Sequence, residues 1–337
     1  MLSPRVEEII DPCLPIVDAH HHLWEQTGQR YLWPEFVTDA RSHNVRWSVF
    51  VECRSGYRTD GPEELRVVGE TEFALQQSGE LSGMASREPP CLAAIVGSAE
   101  LMLGHRVREV LEAHISAGRG IFRGIRRIVA WHQGNSVPYP SGTGAGMLNS
   151  EPFRLGFSCL APLGLTFDAW LYHPQLPELT SLAKAFPDTN IVLNHFGGPL
   201  SIGQYAGRRD EVFVDWRSKI LDLASLPNVF VKLGGLGMRY TNLGFHALPA
   251  PPNSEVLANA WAPYFDTCVS AFGAERCMFE SNFPVDSLTY AYSTLWNAFK
   301  RLAHGASPDE RHALFSGTAT RFYRLKSDAA IAATALR

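Results

Sequence analysis

The chain has 337 residues, 45% of them hydrophobic and 19% charged, with a formal net charge of −4, the balance of a globular protein with a large core. No run of Lys or Arg stands out, which argues against nucleic acid or an anionic membrane as a partner. Glu7, Glu8 and Asp11 interrupt the first segment as no secretory leader does, and nowhere do about 18 apolar residues follow one another, so a cytoplasmic protein without a membrane span is expected.

Eight short apolar or β-branched runs read as strands, over 16–20, 47–53, 91–96, 124–128, 166–172, 191–195, 229–233 and 277–281. Several are hydrophobic throughout, as parallel strands covered on both faces are. Amphipathic segments at 63–77, 107–117, 175–186, 210–225 and 254–272 read as helices between them. Eight strands with intervening helices predict an α/β fold of the (β/α)8 TIM-barrel type. It is expected as one enzyme domain over 1–325, followed by a short tail at 326–337. The segments 54–62, 133–152, 197–209 and 234–253 are long and rich in Gly, Pro, Ser and Asn. In a barrel these are βα loops, which cover the C-terminal, catalytic face. Six cysteines without a C-x-x-C pair are expected as reduced, mostly buried thiols.

Chemistry collects where the strands end. In Val17-Asp18-Ala19-His20-His21-His22, alternate side chains of a strand share a face, so His20 and His22 project together and could bind one divalent metal. His173 and His195 end the fifth and sixth runs, Glu52 the second, and Glu280 lies in the eighth, two residues before Asn282. A Glu inside an apolar strand needs a partner; for Glu52 this is a metal or, structurally, Arg54 or Arg126. Arg126 could hold a substrate oxyanion or serve as that structural partner. Trp131, His132, Trp170, Tyr172, Lys232, His246 and Phe283 are expected to line a roomy, largely apolar substrate pocket. His43, His105, His114, His304 and His312 are expected at the surface.

These motifs, with Arg123-Gly124-Ile125-Arg126, Gln175-Leu176-Pro177, Asn194-His195-Phe196-Gly197-Gly198-Pro199 and Phe279-Glu280-Ser281-Asn282-Phe283-Pro284, resemble the amidohydrolase superfamily. The similarity is to its branch of TIM-barrel metal-dependent hydrolases, which includes sugar and pyrone lactonases. It runs nearly the length of the chain and implies that His20, His22 and His195 line the active site. Two departures stand out. Family hydrolases carry a water-activating Asp where this chain has Asn282, whose amide cannot accept that proton. Arg126 and Arg127 occupy the strand that bears a carbamylated Lys in dinuclear members. In these respects the chain is most similar to dinuclear non-haem iron monooxygenases of the same fold, which act on diterpenoid antibiotics and α-aminoisobutyrate.

Three functions follow from that resemblance. In the first, His20, His22, Glu52, His173, His195, Glu280 and Asn282 hold two divalent ions, Fe before Mn or Zn. O2 is then the co-substrate for hydroxylating a hydrophobic small molecule, and an electron donor is needed. In the second, the chain is a metal-dependent hydrolase of a lactone or amide, with Glu280 as base and Arg126 at the oxyanion. In the third it is a catalytically silent partner subunit. A homo-oligomer is compatible with all three.

Overall fold

In a computed structural model, residues 7–26, 28–79, 90–133, 137–138 and 142–326 are described. Their centre is an eight-stranded sheet: β1 (Ile16–His21), β2 (Val45–Val51), β3 (Cys91–Gly97), β4 (Phe122–Ile128), β5 (Thr166–Trp170), β6 (Ile191–Leu193), β7 (Val229–Leu233) and β8 (Cys277–Phe279). Each pairs in parallel with the next. The circle closes between β8 and β1 through an isolated bridge from His21 to Phe283. All eight expected strands exist, with ends moved by a few residues. The fold is therefore the (β/α)8 barrel the pattern predicted.

Outside the barrel lie α1 (Trp33–Ala40), α2 (Val68–Gln77), α3 (Val107–Ala117), α4 (Glu151–Phe157), α5 (Leu176–Ala185), α6 (Arg209–Ala224), α7 (Ser254–Phe272) and α8 (Tyr292–Leu302). α1, α4 and α8 were not read from the sequence. Nor was the antiparallel pair of Trp24–Gln26 with Gln29–Tyr31. α1 and α4 are only 8 and 7 residues long, too short for a helical period to register. α8 is clearly amphipathic, although it also buries the polar residues Asn297 and Lys300. The main apolar core lies between barrel and helices, with Phe36, Trp216, Trp261 and Trp296 fully or almost fully buried.

A second cluster fills part of the barrel. Val17, Ala19, Val49, Val51, Ala94, Val96, Val192 and Met278 from the strands meet Ala319, Phe322, Tyr323 and Leu325 from the end of the described chain. The expected tail lies outside the described residues apart from Lys326. None of the described helices is long and apolar enough to cross a membrane. The cysteines are free; Cys159, Cys268 and Cys277 are buried, Cys53 and Cys91 half-buried, and Cys13 exposed.

His43 and His114 correct the expectation of surface histidines, for both are buried. His114 stacks on Phe122 at 4.8 Å. Its Nδ1 stands 2.8 Å from Thr71 Oγ1, and its Nε2 donates to Ser98 O at 2.9 Å. Burial lowers the pKa of both histidines to about 4. In the unfolded chain they titrate near 6.5. Below that pH the unfolded state binds protons that the folded state refuses, so stability is lost as pH falls from about 6.5 towards 4. Each His should cost on the order of 3 kcal/mol by the lower end of that window. His114→Gln should therefore flatten the fall of Tm between pH 6.5 and 4 while lowering Tm at neutral pH. An unchanged acid slope would show that His114 does not contribute to it.

Candidate active site

The site forms where β1 and β8 run out at the C-terminal face. β1 delivers His20 and His22 to one face. His21, pointing the other way as alternation requires, stacks on Phe36 at 4.0 Å. β6 stops at Leu193, and the turn His195–Gly197 that follows places His195 and Phe196 in left-handed conformations, with φ of 55° and 54°. Trp216 Nε1 donates to Phe196 O at 2.6 Å and pins this turn. Such backbone costs about 1–3 kcal/mol per residue and persists only where packing enforces it. Here it carries His195 to Glu280.

Glu280 is fully buried between two imidazoles. Its Oε1 accepts from His195 N at 3.1 Å and from His195 Nδ1 at 2.7 Å. Its Oε2 lies 2.6 Å from His20 Nδ1, yet the two are not aligned as a hydrogen bond and neither is satisfied. On the other side of the His20 ring, Nε2 is 3.1 Å from His22 Nε2 and accepts from Arg126 Nη1 at 3.2 Å. Because His22 Nδ1 donates to Val51 O at 2.8 Å, its Nε2 bears a lone pair, as His20 Nε2 does. Two lone pairs facing each other at that distance repel unless a cation reconciles them.

Ligands at 2.0–2.1 Å on a tetrahedral ion stand about 3.3 Å apart, close to what these nitrogens show. Burial holds His20 and His22 well below the ordinary histidine range, and nearby charges add to this, Lys232 first for His20 and Arg126 for His22. Burial also lowers His195, against the pull of Glu280. Neutral imidazoles are what metal ligation requires. His20, His195 and Glu280 offer ligand atoms within 4.8 Å of one another and form the one such group of three among the described residues. The residues present thus fit a single divalent ion.

The other expected ligands do not converge there. Glu52 Oε1 accepts from Arg126 Nε at 2.7 Å, and Glu52 O accepts from Arg126 Nη2, so its partner is the guanidinium. β5 ends at Trp170 rather than 172, and His173 opens a short turn that rotates it off the strand face. There His173 Nδ1 accepts from Leu200 N at 3.2 Å and Nε2 faces Asp215 at 3.5 Å. Asn282 sits beside His20, its N donating to His20 O at 2.8 Å, but its amide is committed to Asp286. The seven-ligand, two-ion expectation thus loses Glu52 and His173 to other partners.

Arg126 is the structural partner of Glu52: two of its nitrogens hold Glu52, and the third reaches His20. Lys232, which could meet substrate or neutralise a buried acid, does the latter: it lies against Asp168 at 2.7 Å, both fully buried. Trp170 stands 6.5 Å from the His195 ring and 6.0 Å from Tyr240, with Tyr172 5.3 Å from Tyr240, so the three rings form an aromatic cluster beside His195. Trp131 N donates to Gln175 Oε1 at 2.9 Å. His132 lies 3.3 Å from Tyr205 Oη and 3.1 Å from Gln204 Nε2, and both Trp131 and His132 line an outer recess with Pro174 and Glu178. His246 and Phe283 line a different cleft of about 510 Å³, with Phe245, Leu288 and Tyr290.

Two buried acids were missed. Glu70 on α2 is fully buried, accepts from Cys53 N and Ser55 N, both at 2.8 Å, and holds the turn behind Glu52. Burial, with Glu52 adding to it, raises its pKa to about 8. The signal was available: Glu70 shares the inward face of its helix with Ala74. Asp286, raised to about 7 by burial, follows Asn282 by four residues and had no pattern to mark it.

Gly234 and Gly235 make the space. A Cβ on Gly235 would lie 2.5 Å from His195 Nδ1, and one on Gly234 would lie 2.5 Å from Glu280 Cγ. Gly235 also has φ of 73°. Gly235→Ala is expected to cost about 1–3 kcal/mol and to reduce metal uptake by displacing His195. Gly244→Ala, with positive φ but open space around it, should cost less and leave uptake intact. Elemental analysis beside thermal unfolding measures both; equal metal content in the two variants would refute the steric argument.

The family model described as Amidohydrolase matches residues 17–325. An uncharacterised protein of Sinorhizobium fredii, y4mH, is 31% identical over 93% of this chain and 99% of its own. An L-fucono-1,5-lactonase of Burkholderia multivorans is 26% identical over 93% of this chain and 97% of its own. The crystal structure of an amidohydrolase from Burkholderia multivorans with bound HEPES superposes with a TM-score of 0.72 at 25% identity, covering 92% of this chain and 99% of that one. A kinship to the iron monooxygenases is not among these findings, which lie on the hydrolase side. The match over nearly the whole barrel, with His20, His22, His195 and Glu280 gathered at its mouth, makes this chain a member of the amidohydrolase family.

Proposed function

We propose that the protein is a metal-dependent hydrolase that opens a small lactone. The observation that carries this reading is the convergence of His20 Nε2, His22 Nε2 and Arg126 Nη1 on one side of the His20 ring, with an unsatisfied Glu280 oxygen on the other. The L-fucono-1,5-lactonase relative supports the choice of a lactone over an amide. His20 and His22, whose Nε2 atoms face each other at 3.1 Å, would hold the ion with His195 close to His20, and an imidazole set suits Zn. When bound, it would supply Lewis acidity toward the ester carbonyl.

The chain's own groups do the rest. Arg126, held in place by Glu52, donates from Nη1 toward the carbonyl oxygen as it gains charge. Glu280 Oε1 keeps the His195 Nδ1 proton in place, and Oε2 takes the proton of the attacking water. Trp170, Tyr172 and Tyr240 form an apolar wall that excludes other water. The hydroxylation reading calls for ligands to two ions, and with Glu52 on Arg126 and His173 turned to Asp215 it has fewer of them to draw on. A silent subunit would leave this buried charge without a use.

Lactone opening releases acid, so a pH-stat with a panel of 1,5-lactones tests the reading directly. One metal per chain and turnover are expected. Arg126→Met should lower kcat by about 10²–10³, the usual cost of a lost oxyanion donor. Glu280→Gln should abolish turnover. Two irons per chain with substrate-dependent O2 uptake, and no lactone turnover, would overturn the proposal in favour of the oxygenase.

A further inference from the structure

We infer that Arg126 is a resident cation of the candidate metal site, competing with an incoming ion for His20 Nε2. Loading of the ion then releases Arg126 Nη1 as a donor for an oxygen of the ligand. The inference rests on the reading of His20 and His22 as ligands of an ion, but not on the substrate being a lactone.

His22 Nδ1 donates to Val51 O, so His22 Nε2 is an acceptor. Arg126 can only donate and keeps its charge, so His20 Nε2, 3.2 Å from Arg126 Nη1, is an acceptor too. The two acceptors face each other at 3.1 Å, and the guanidinium beside them is the positive charge that reconciles them. A neutral imidazole has one acceptor nitrogen, with one lone pair in the plane of the ring. His20 Nε2 can therefore serve Arg126 or an ion, and not both at once. Like charge adds to the exclusion, because Arg126 is only 5% exposed and buried charges are poorly screened.

Arg126 is not free to withdraw. Glu52 Oε1 holds its Nε at 2.7 Å, and Glu52 O accepts from its Nη2. Glu70 in turn fixes the chain after Glu52 through Cys53 N and Ser55 N. The guanidinium is planar, so Nη1 parts from His20 by a tilt about the edge that Glu52 grips. The charge stays in the site. Among the described residues His20 Nε2 is the one acceptor recorded for Nη1, and a buried donor without an acceptor is costly. A carbonyl oxygen brought by a ligand is the complementary group. Ion and ligand thus tighten each other's binding, as linkage requires of any such coupling.

Replacing both members of the ion pair, Glu52→Gln with Arg126→Met, tests the competition. It leaves no charge buried alone and no Glu52 carboxylate to become a ligand itself. The measurement is the zinc affinity of the metal-stripped chain, by competition with a chromophoric chelator. The double variant is expected to bind zinc at least tenfold more tightly than the wild type, while its turnover falls. A merely structural Arg126 would make both worse, and equal or weaker zinc binding overturns the competition. A second readout uses the wild type alone, with labelled arginine followed by NMR. On adding zinc, the Arg126 Nη1 resonances should shift and lose their slow rotation, while the Nε–H held by Glu52 stays in place. Unchanged Nη1 resonances at saturating zinc overturn the release, whether or not the variant folds. Zinc uptake by neither protein overturns the inference together with the metal reading. Zinc uptake and Nη1 release as expected, with no lactone opened, refute the lactonase reading alone.

Discussion

A carboxylate and an ammonium face each other at 2.7 Å inside the barrel, with no surface exposed on either. Asp168 comes from β5 and Lys232 from β7, so the pair spans the strand between them. Asn194 adds a bond to Asp168 at 3.2 Å, and Tyr323 Oη donates to both of its oxygens. Removing one partner of such a pair leaves a buried charge and typically costs 3–5 kcal/mol. Correct closure of the sheet and docking of the C-terminal segment are thus demanded together. The same ammonium also helps keep His20 neutral, which links a barrel-closing contact to the readiness of the site for a metal.

Above this lock the charges are arranged by the same rule, each satisfied by a neighbour that is itself held. Arg126 is fixed by Glu52, and the chain behind Glu52 by Glu70. Glu280 is fixed by His195, and His195 by a turn that needs Gly235 beside it. Some buried atoms are nevertheless left without an aligned partner, among them His20 Nδ1, Glu280 Oε2 and Glu70 Oε2. Unsatisfied buried polar atoms are rare enough to require a reason. For Glu280 Oε2 the proposed hydrolysis supplies one, since this is the oxygen that would take the proton of water.

The barrel was legible because its eight strands are apolar runs of the right length, separated by helices. His20 and His22 were legible because a period of two needs no knowledge of the rest of the fold. His195 was found by its place after a strand, though nothing in the sequence tells that left-handed backbone would swing it onto Glu280. The same inference failed for His173, where β5 ends two residues sooner and the turn sends the ring outward. Glu52 and Arg126 are 74 positions apart, and a sequence can suggest such a pairing only as one option among several. Asp286 was invisible because its meaning depends on Asn282 lying one turn away in a segment with no periodic pattern.

The strand pairs of the barrel are not equally zipped. β1 and β8 share an isolated bridge, supplemented by His22 N on Phe283 O and Asn282 N on His20 O, both at 2.8 Å. Part of the missing ladder is replaced by side chains: Asp18 Oδ1 accepts from Ser281 N at 2.9 Å, and its Oδ2 from Tyr292 Oη at 3.0 Å. This seam is the barrel's line of least mechanical resistance, and His20, His22 and Glu280 all stand along it. The join that closes the barrel is therefore also the ground on which its candidate site is built, and one set of side chains answers for both.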